Sequence, residues 1–115
     1  MTPKSRPPAA HREFVRRFPR LDRAWDLVNE EGGDGPLDAR TQRLLKLAIA
    51  IGALREGAVH SGVRKARDAG ASLAEMEQVV ALAASTIGFP ASVAVWSWVR
   101  EEAAGRARRP RRRQR

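Results

Sequence analysis

The sequence predicts an all-α protein, a bundle of about five helices of the kind in which helices bury apolar faces against one another. Three observations support this prediction. Apolar residues recur at helical spacing in successive segments, clusters of glycine and proline separate those segments, and no segment alternates apolar and polar residues as a half-buried strand does. At 115 residues the chain has the size of one domain. We expect that domain over residues 11–104, between a flexible leader at 1–10 and a basic tail at 105–115.

The first predicted helical segment runs from about Ala10 to Glu31. Its apolar residues at helical spacing are Phe14, Phe18, Leu21, Trp25 and Val28. Proline lacks the N–H group that an interior helix position donates, so Pro19 should break or kink this segment. The glycine-rich residues 32–36 then predict a loop.

The second predicted helix has Asp38 as a plausible N-cap and runs to about Leu54. Its apolar residues are Leu44, Leu45, Leu47, Ala48, Ile49, Ala50 and Ile51. Because these residues lie nearly all the way round the helix, we expect it to be central and buried.

Capping signals bound the next two predicted helices. The third spans about 56–69 and ends at Gly70, a residue suited to the left-handed conformation that often follows a helix. Ser72 and Glu75 have the spacing of a capping box, which predicts a fourth helix that ends at about residue 87.

The last predicted helix spans about 90–104 and ends at Gly105. It carries Trp96 and Trp98, which point to different faces because they are two residues apart. Tryptophans at helical spacing, including Trp25, belong more often to a core or a subunit interface than to a ligand site. We expect one tryptophan of the last helix to contact another subunit.

The formal net charge of +9 is concentrated in the tail. Residues 105–115 contain seven arginines and no acid, so the other residues carry only +2. Such a segment cannot bury enough apolar surface to fold alone, and we expect it to be disordered. Its arginines are suited to nucleic acid or another polyanion through counterion release, without reading a base sequence.

Two absences in the sequence exclude classes of function. Without cysteine there can be no disulfide, no thiolate metal site and no thiol catalysis. No apolar run has the length of a membrane helix, and the leader has no apolar core of the signal-peptide type. We therefore expect a cytoplasmic protein with no membrane partner.

The candidate catalytic residues are Glu56 and His60, within the run Arg-Glu-Gly-Ala-Val-His-Ser-Gly at residues 55–62. Four residues apart on a helix, they lie on one face and within reach of each other. Histidine titrates near neutral pH and a carboxylate can orient it, which suits general acid and base catalysis. Arg55 or Arg64 is then a candidate to bind an anionic substrate.

Two other interpretations of this pair stay open. In a structural one, Glu56 is a favourable acid in the first helical turn and His60 is a satisfied interface residue. A metal site is less well supported, because two protein ligands fall short of the three usual for catalytic zinc and His11 is the only other histidine. We predict no metal and no cofactor.

The order and spacing of several segments resemble the carboxymuconolactone decarboxylase and alkylhydroperoxidase D superfamily. These segments are Asp38-Ala-Arg-Thr41, the apolar residues 44–51, Ala69-Gly-Ala-Ser72 with Glu75, and Ile87-Gly-Phe-Pro-Ala91. The resemblance covers about residues 38–99. It implies a small helical protein that forms homo-oligomers, often trimers or hexamers, with sites near the subunit contacts.

The chain departs from the alkylhydroperoxidase branch at the reactive positions. A glutamate, two cysteines and a histidine of that branch align with Arg43, Arg55, Ala58 and Gly62. Thiol peroxidase chemistry is therefore excluded. The chain looks closer to the decarboxylase branch, which acts on a lactone acid without a cofactor. It is closer still to relatives that carry Glu-Gly-Ala-Val-His-Ser and commonly have a second histidine at the position of Gly62.

Two functions of different classes remain open at this stage. The first is a small oligomeric lyase or related enzyme for an anionic or peroxide-derived small molecule. In it, His60 is the acid and base, Glu56 its orienting group and a basic side chain the anion clamp. The second is a non-catalytic oligomeric scaffold that binds RNA or another polyanion through its arginine tails.

Overall fold

In the computed structural model, which describes residues 9–108, the described chain contains helices and no strand. The predicted all-α class is confirmed. Nearly all of the predicted leader, and residues 109–115 of the predicted tail, lie outside this range. The chain divides at Ala39 into two compact units. None of the described helices has the length and apolar composition of a membrane span.

From residue 9 onward, the first unit contains two helices, α1 (Ala9–Arg17) and α2 (Pro19–Gly33). The predicted break is found at Pro19, which occupies the start of α2, where its missing N–H group costs least. The prediction of a loop from residue 32 onward is wrong for Gly32 and Gly33, which belong to the last turn of α2. A glycine weakens a helix by only about 1 kcal/mol, which does not prevent a final turn.

The second unit contains four helices, α3 (Ala39–Gly52), α4 (Glu56–Asp68), α5 (Leu73–Ile87) and α6 (Phe89–Arg108). Across residues 9–108 there are thus six helices rather than about five, because Pro19 divides the first predicted segment. α6 continues past Gly105, where the sequence predicted its end. That glycine lowers the helix propensity of one position without supplying a competing cap, so the helix continues to Arg108.

One apolar core joins the four helices of the second unit. Its buried residues are Leu47, Ala50 and Ile51 of α3, Val59, Val63 and Ala66 of α4, Met76 and Val80 of α5, Val95 and Val99 of α6, and Ala71. Burying one of the larger side chains contributes about 1.5–3 kcal/mol. Because α6 packs against both α4 and α5, its C-terminal half comes close to the first turns of α4.

The prediction that α3 is buried all the way round is wrong for the single chain. Leu45 is 46% exposed and Ile49 is 68% exposed, although both belong to the apolar run. A helix is buried on every side only when neighbours surround it, and the core of this unit meets α3 on the side of Leu47 and Ile51.

The predicted caps at the end of α4 and the start of α5 are confirmed. Gly70 has φ +97°, and the Ala71 N–H donates to the carbonyl of Ala66 at 2.9 Å, as in a Schellman motif. The Ser72 hydroxyl accepts from the backbone N–H of Glu75, and the Glu75 carboxylate accepts from the backbone N–H of Ser72. This reciprocal pair is the predicted capping box.

Glu75 also connects the starts of two helices. Its carboxylate forms an ion pair with Arg40, in the first turn of α3. The hydrogen bond from the Ser72 backbone N–H is the largest cause that lowers the pKa of Glu75, and the Arg40 guanidinium lowers it further. The ionised carboxylate is therefore the form that the folded chain favours.

The two tryptophans of α6 point to different faces, as predicted. Trp98 packs against the core. The Trp96 ring lies outside it, donates from Nε1 to the Glu77 carboxylate at 3.0 Å and has the Arg100 guanidinium 5.0 Å from its centroid. Contact of a tryptophan with another subunit remains a prediction.

Candidate functional site

The candidate site lies where the first turns of α4 face the C-terminal half of α6. α4 begins after Leu54, a residue with φ 55°, and the Arg55 N–H donates to the carbonyl of Ala50 at 3.2 Å. α3 therefore ends as α4 does at Gly70, with a residue in the left-handed conformation. For a residue with a side chain, such as Leu54, this conformation costs about 1 kcal/mol. The strained turn sets the direction in which α4 starts and hence the position of Glu56.

His60 is partly buried between the two helices. Its neighbour Val59 and the next-turn residue Val63 are fully buried in the core, which fixes the rotation of α4 about its axis. The His60 side chain consequently lies at the border of the α4–α6 contact, 21% exposed. A side chain in this position has a fixed orientation and access to small molecules.

The shortest polar contact of His60 is with Glu102, a residue that the sequence analysis did not select. Nδ1 of His60 lies 2.8 Å from Oε1 of Glu102. An ionised carboxylate can only accept, so this contact is a hydrogen bond in the tautomer that carries the proton on Nδ1. In the neutral imidazole this leaves the lone pair on Nε2. The residue that orients the ring is thus Glu102 rather than Glu56.

Glu56 and a second carboxylate flank the other ring nitrogen. Nε2 of His60 lies 3.5 Å from Oε2 of Glu56 and 3.7 Å from Oε1 of Glu101. The predicted proximity of Glu56 and His60 is therefore present in the structure. Both distances exceed that of a good hydrogen bond, and both glutamates are largely exposed, so their carboxylates have room to move.

Arg64 completes the polar cluster, one helical turn after His60. Its Nη1 lies 3.7 Å from Oε2 of Glu102, and both side chains are mostly buried, at 20% and 17% exposed. The guanidinium thus lies beside the carboxylate that contacts Nδ1 of His60. Arg55, the other predicted anion-binding residue, is exposed at the start of α4.

A second group of basic side chains adjoins Arg64. Burial is the largest cause that lowers the pKa of Lys65, and repulsion from Arg43, Lys46 and Arg64 lowers it further. Cations that repel one another are stabilised when an anion binds among them. Lys65 therefore belongs to a group of mutually repelling cations on α3 and α4.

Glu101 and Glu102 did leave a signal in the sequence. If the last helix ended at residue 104, as predicted, both carboxylates would lie in its final turn, where they oppose the helix dipole. An acid in that position lowers helix stability by a fraction of about 1 kcal/mol, a cost that a cationic partner offsets. The sequence alone does not show which residue that partner is.

The structure also explains why Gly62 is compatible with this packing. A Cβ atom at this position would lie 3.2 Å from Cδ1 and 3.4 Å from Cα of Leu47, in the neighbouring helix. A larger residue would require Leu47 to shift by a few tenths of an ångström. Residue 62 contributes no second imidazole to the cluster around His60.

Two kinds of chemistry fit this geometry. An imidazole held at Nδ1 by a carboxylate can accept or donate a proton at Nε2. The donor atoms of Glu56, His60 and Glu101 also lie within 4.8 Å of one another, a spacing from which they could hold a metal ion. The expectation of no metal assumed only two ligands, and Glu101 adds a third.

Comparison with known protein families gave a match over most of the chain. The model of the carboxymuconolactone decarboxylase family matches residues 18–101, well over half of the chain. Neither the curated proteins nor the solved structures yielded a match. The matched range includes Glu56, His60 and Glu101 and ends one residue before Glu102.

Proposed function

This chain belongs to the carboxymuconolactone decarboxylase family, and on that premise we propose that it is a small-molecule lyase or related enzyme that moves a proton at Nε2 of His60. The observation that carries the proposal is the 2.8 Å contact between Nδ1 of His60 and Glu102. A carboxylate behind the imidazole keeps the reactive nitrogen facing outward in one tautomer.

Each residue of the cluster has a distinct role in this proposal. His60 acts as the general base and then as the general acid, a contribution of about 10²- to 10⁴-fold in rate. Glu102 accepts from Nδ1 and holds the ring in place. When the ring is protonated at both nitrogens, the Nε2 N–H donates to the Glu56 carboxylate, whose oxygen lies 3.5 Å away.

The proposed substrate is an anionic small molecule. Arg64 has five N–H donors, and only its Nη1 contacts Glu102. The next residue, Lys65, belongs to the basic group of α3 and α4. These side chains are suited to hold the carboxylate of a substrate beside the cluster around His60. We propose Arg64, rather than the exposed Arg55, as the anion clamp.

We further propose that the enzyme is a homo-oligomer, a trimer or a hexamer. Large apolar side chains stay exposed in the single chain, among them Ile49, Leu82 and Phe89, at 68%, 69% and 79%. Large exposed apolar surface is typical of contacts between protein chains. Native mass spectrometry of the purified chain measures the assembly directly, and a monomer at micromolar concentration would contradict this part of the proposal.

The catalytic proposal is tested by turnover of carboxymuconolactone and related lactone acids. We expect the wild-type chain to release CO₂ or open the lactone, and His60→Gln to lower the rate by at least about 100-fold. His11→Gln is the matched control, since it removes the other histidine of the chain, on exposed α1. Full activity of His60→Gln would refute the role of His60.

The alternative function is an oligomeric scaffold for polyanions. The observation that favours it is the group of seven arginines in residues 106–115. Deletion of these residues should abolish binding of RNA at moderate salt, with an affinity that falls steeply as salt rises. RNA binding lost on deletion, together with no turnover by the wild-type chain, would favour the scaffold over the enzyme.

A further inference from the structure

We propose that Glu56, His60 and Glu101 form a binding site for a divalent transition-metal ion of the zinc class. The site offers one imidazole nitrogen and two carboxylate oxygens. Imidazole suits zinc, nickel, copper and ferrous iron, whereas magnesium and calcium prefer all-oxygen sites. Three protein ligands with a remaining position for water are the usual number for an open zinc site.

The donor atoms are already close to the positions that a common ion requires. Nε2 of His60 is 3.5 Å from the Glu56 oxygen and 3.7 Å from the Glu101 oxygen. Ligands bound to zinc at about 2.0–2.2 Å lie roughly 3–3.5 Å from one another in a tetrahedral arrangement. Small rotations of the two exposed glutamates would bring all three atoms onto one ion, while the partly buried His60 stays in place.

Glu102 supports this assignment independently of the three donors. A histidine that binds a metal through one nitrogen nearly always donates its other N–H to a carboxylate, a carbonyl or water. Glu102 provides that carboxylate at 2.8 Å from Nδ1, and Arg64 lies on its far oxygen. The contact between Glu102 and Nδ1 keeps the lone pair of Nε2 directed toward Glu56 and Glu101.

The charges around Nε2 favour a cation. Glu56 and Glu101 both form an ion-pair contact with His60. Two carboxylates thus share a partner that carries at most one positive charge. Their mutual repulsion falls when a divalent ion lies between them.

This inference goes beyond the proposed function, because the ion binds without any substrate. It also has a consequence for that function. Nε2 can hold a proton or a metal ion but not both, so a bound ion withdraws His60 from proton transfer. Divalent zinc-class ions should therefore inhibit the reaction proposed for this site.

The experiment is a titration of the tag-free, chelator-treated full chain with Zn²⁺ by calorimetry, and with Co²⁺ by absorption spectroscopy. We expect one ion per chain, and affinity at least about tenfold weaker in Glu101→Gln and in His60→Gln. Glu31→Gln, which removes the same charge from exposed α2, is the matched control and should bind as the wild type does. Circular dichroism verifies that each variant is folded.

Two results would overturn the proposal. One is the absence of Zn²⁺ binding to the folded wild-type chain, and the other is unchanged affinity in Glu101→Gln. Because the titration uses no substrate, its failure leaves the turnover test of His60 standing. Equally, a chain that turns over no lactone acid can still bind the metal.

Discussion

Replacing Glu102 by alanine should lower the free energy of unfolding by about 2 kcal/mol. Glu102 is 17% exposed and accepts the 2.8 Å hydrogen bond from Nδ1 of His60. A hydrogen bond to a charged group contributes about 1.5–3 kcal/mol. The 3.7 Å contact with Arg64 adds little by itself, but Arg64 is also mostly buried and loses its partner. Alanine is the better helix former, so propensity does not explain a loss.

Glu101→Ala provides the control one residue away on the same helix. Glu101 is 68% exposed and lies 3.7 Å from Nε2 of His60. Exposed ion pairs contribute about 0–1 kcal/mol, so we expect a loss below about 0.5 kcal/mol. Urea unfolding followed by circular dichroism measures both variants. The Glu102 variant should shift the midpoint by about 1–2 M, given the usual slope for small domains.

A second variant separates the charge of Glu102 from its shape. Glu102→Gln keeps an oxygen that can accept from Nδ1 but places an amide beside Arg64. We expect the free energy of unfolding of Glu102→Gln to lie between the values of the wild type and Glu102→Ala. Equal losses for Glu101→Ala and Glu102→Ala would refute the conclusion that Glu102 is the residue that holds His60.

The remaining predictions concern the caps and the helix contact. Ser72→Ala removes the N-cap of α5 and should cost about 1 kcal/mol in urea unfolding. Because the folded-state pKa of Glu75 is lowered, its contribution is present above the usual glutamate pKa and is lost as the pH falls through the folded value. Arg40→Ala should raise that pKa in an NMR titration, and an unchanged value would contradict the ion pair. Gly62→Val should destabilise by about 1–3 kcal/mol through overpacking, whereas Gly57→Ala, with nothing within 4 Å of its Cβ, should not destabilise.

Local features were predictable from the sequence because they depend on residues within one helical turn. The break at Pro19, the Gly70 helix end and the Ser72–Glu75 capping box follow from backbone geometry and short-range hydrogen bonds. The proximity of Glu56 and His60 follows from the helical repeat in the same way. For these features the amino-acid order by itself determines which atoms meet.

Predictions that depended on how helices surround one another were less successful. The apolar run of α3 indicated burial on every side, yet Ile49 is exposed in the single chain. Gly105 indicated a helix end, yet α6 continues to Arg108. Hydropathy and propensity state what a residue favours on average, whereas burial depends on which elements lie beside it.

The residues that complete the candidate site were decided by the tertiary structure. Glu102 is 42 positions from His60 in the chain, and Arg40 is 35 positions from Glu75. Nothing in the local sequence relates such residues, because their distance depends on the packing of α4 against α6 and on the turns between helices. The sequence determined the helices, their caps and the Glu56–His60 pair. The burial of Val59, Val63, Val95 and Val99 in one core holds α4 against α6, and with it Glu101 and Glu102 beside His60.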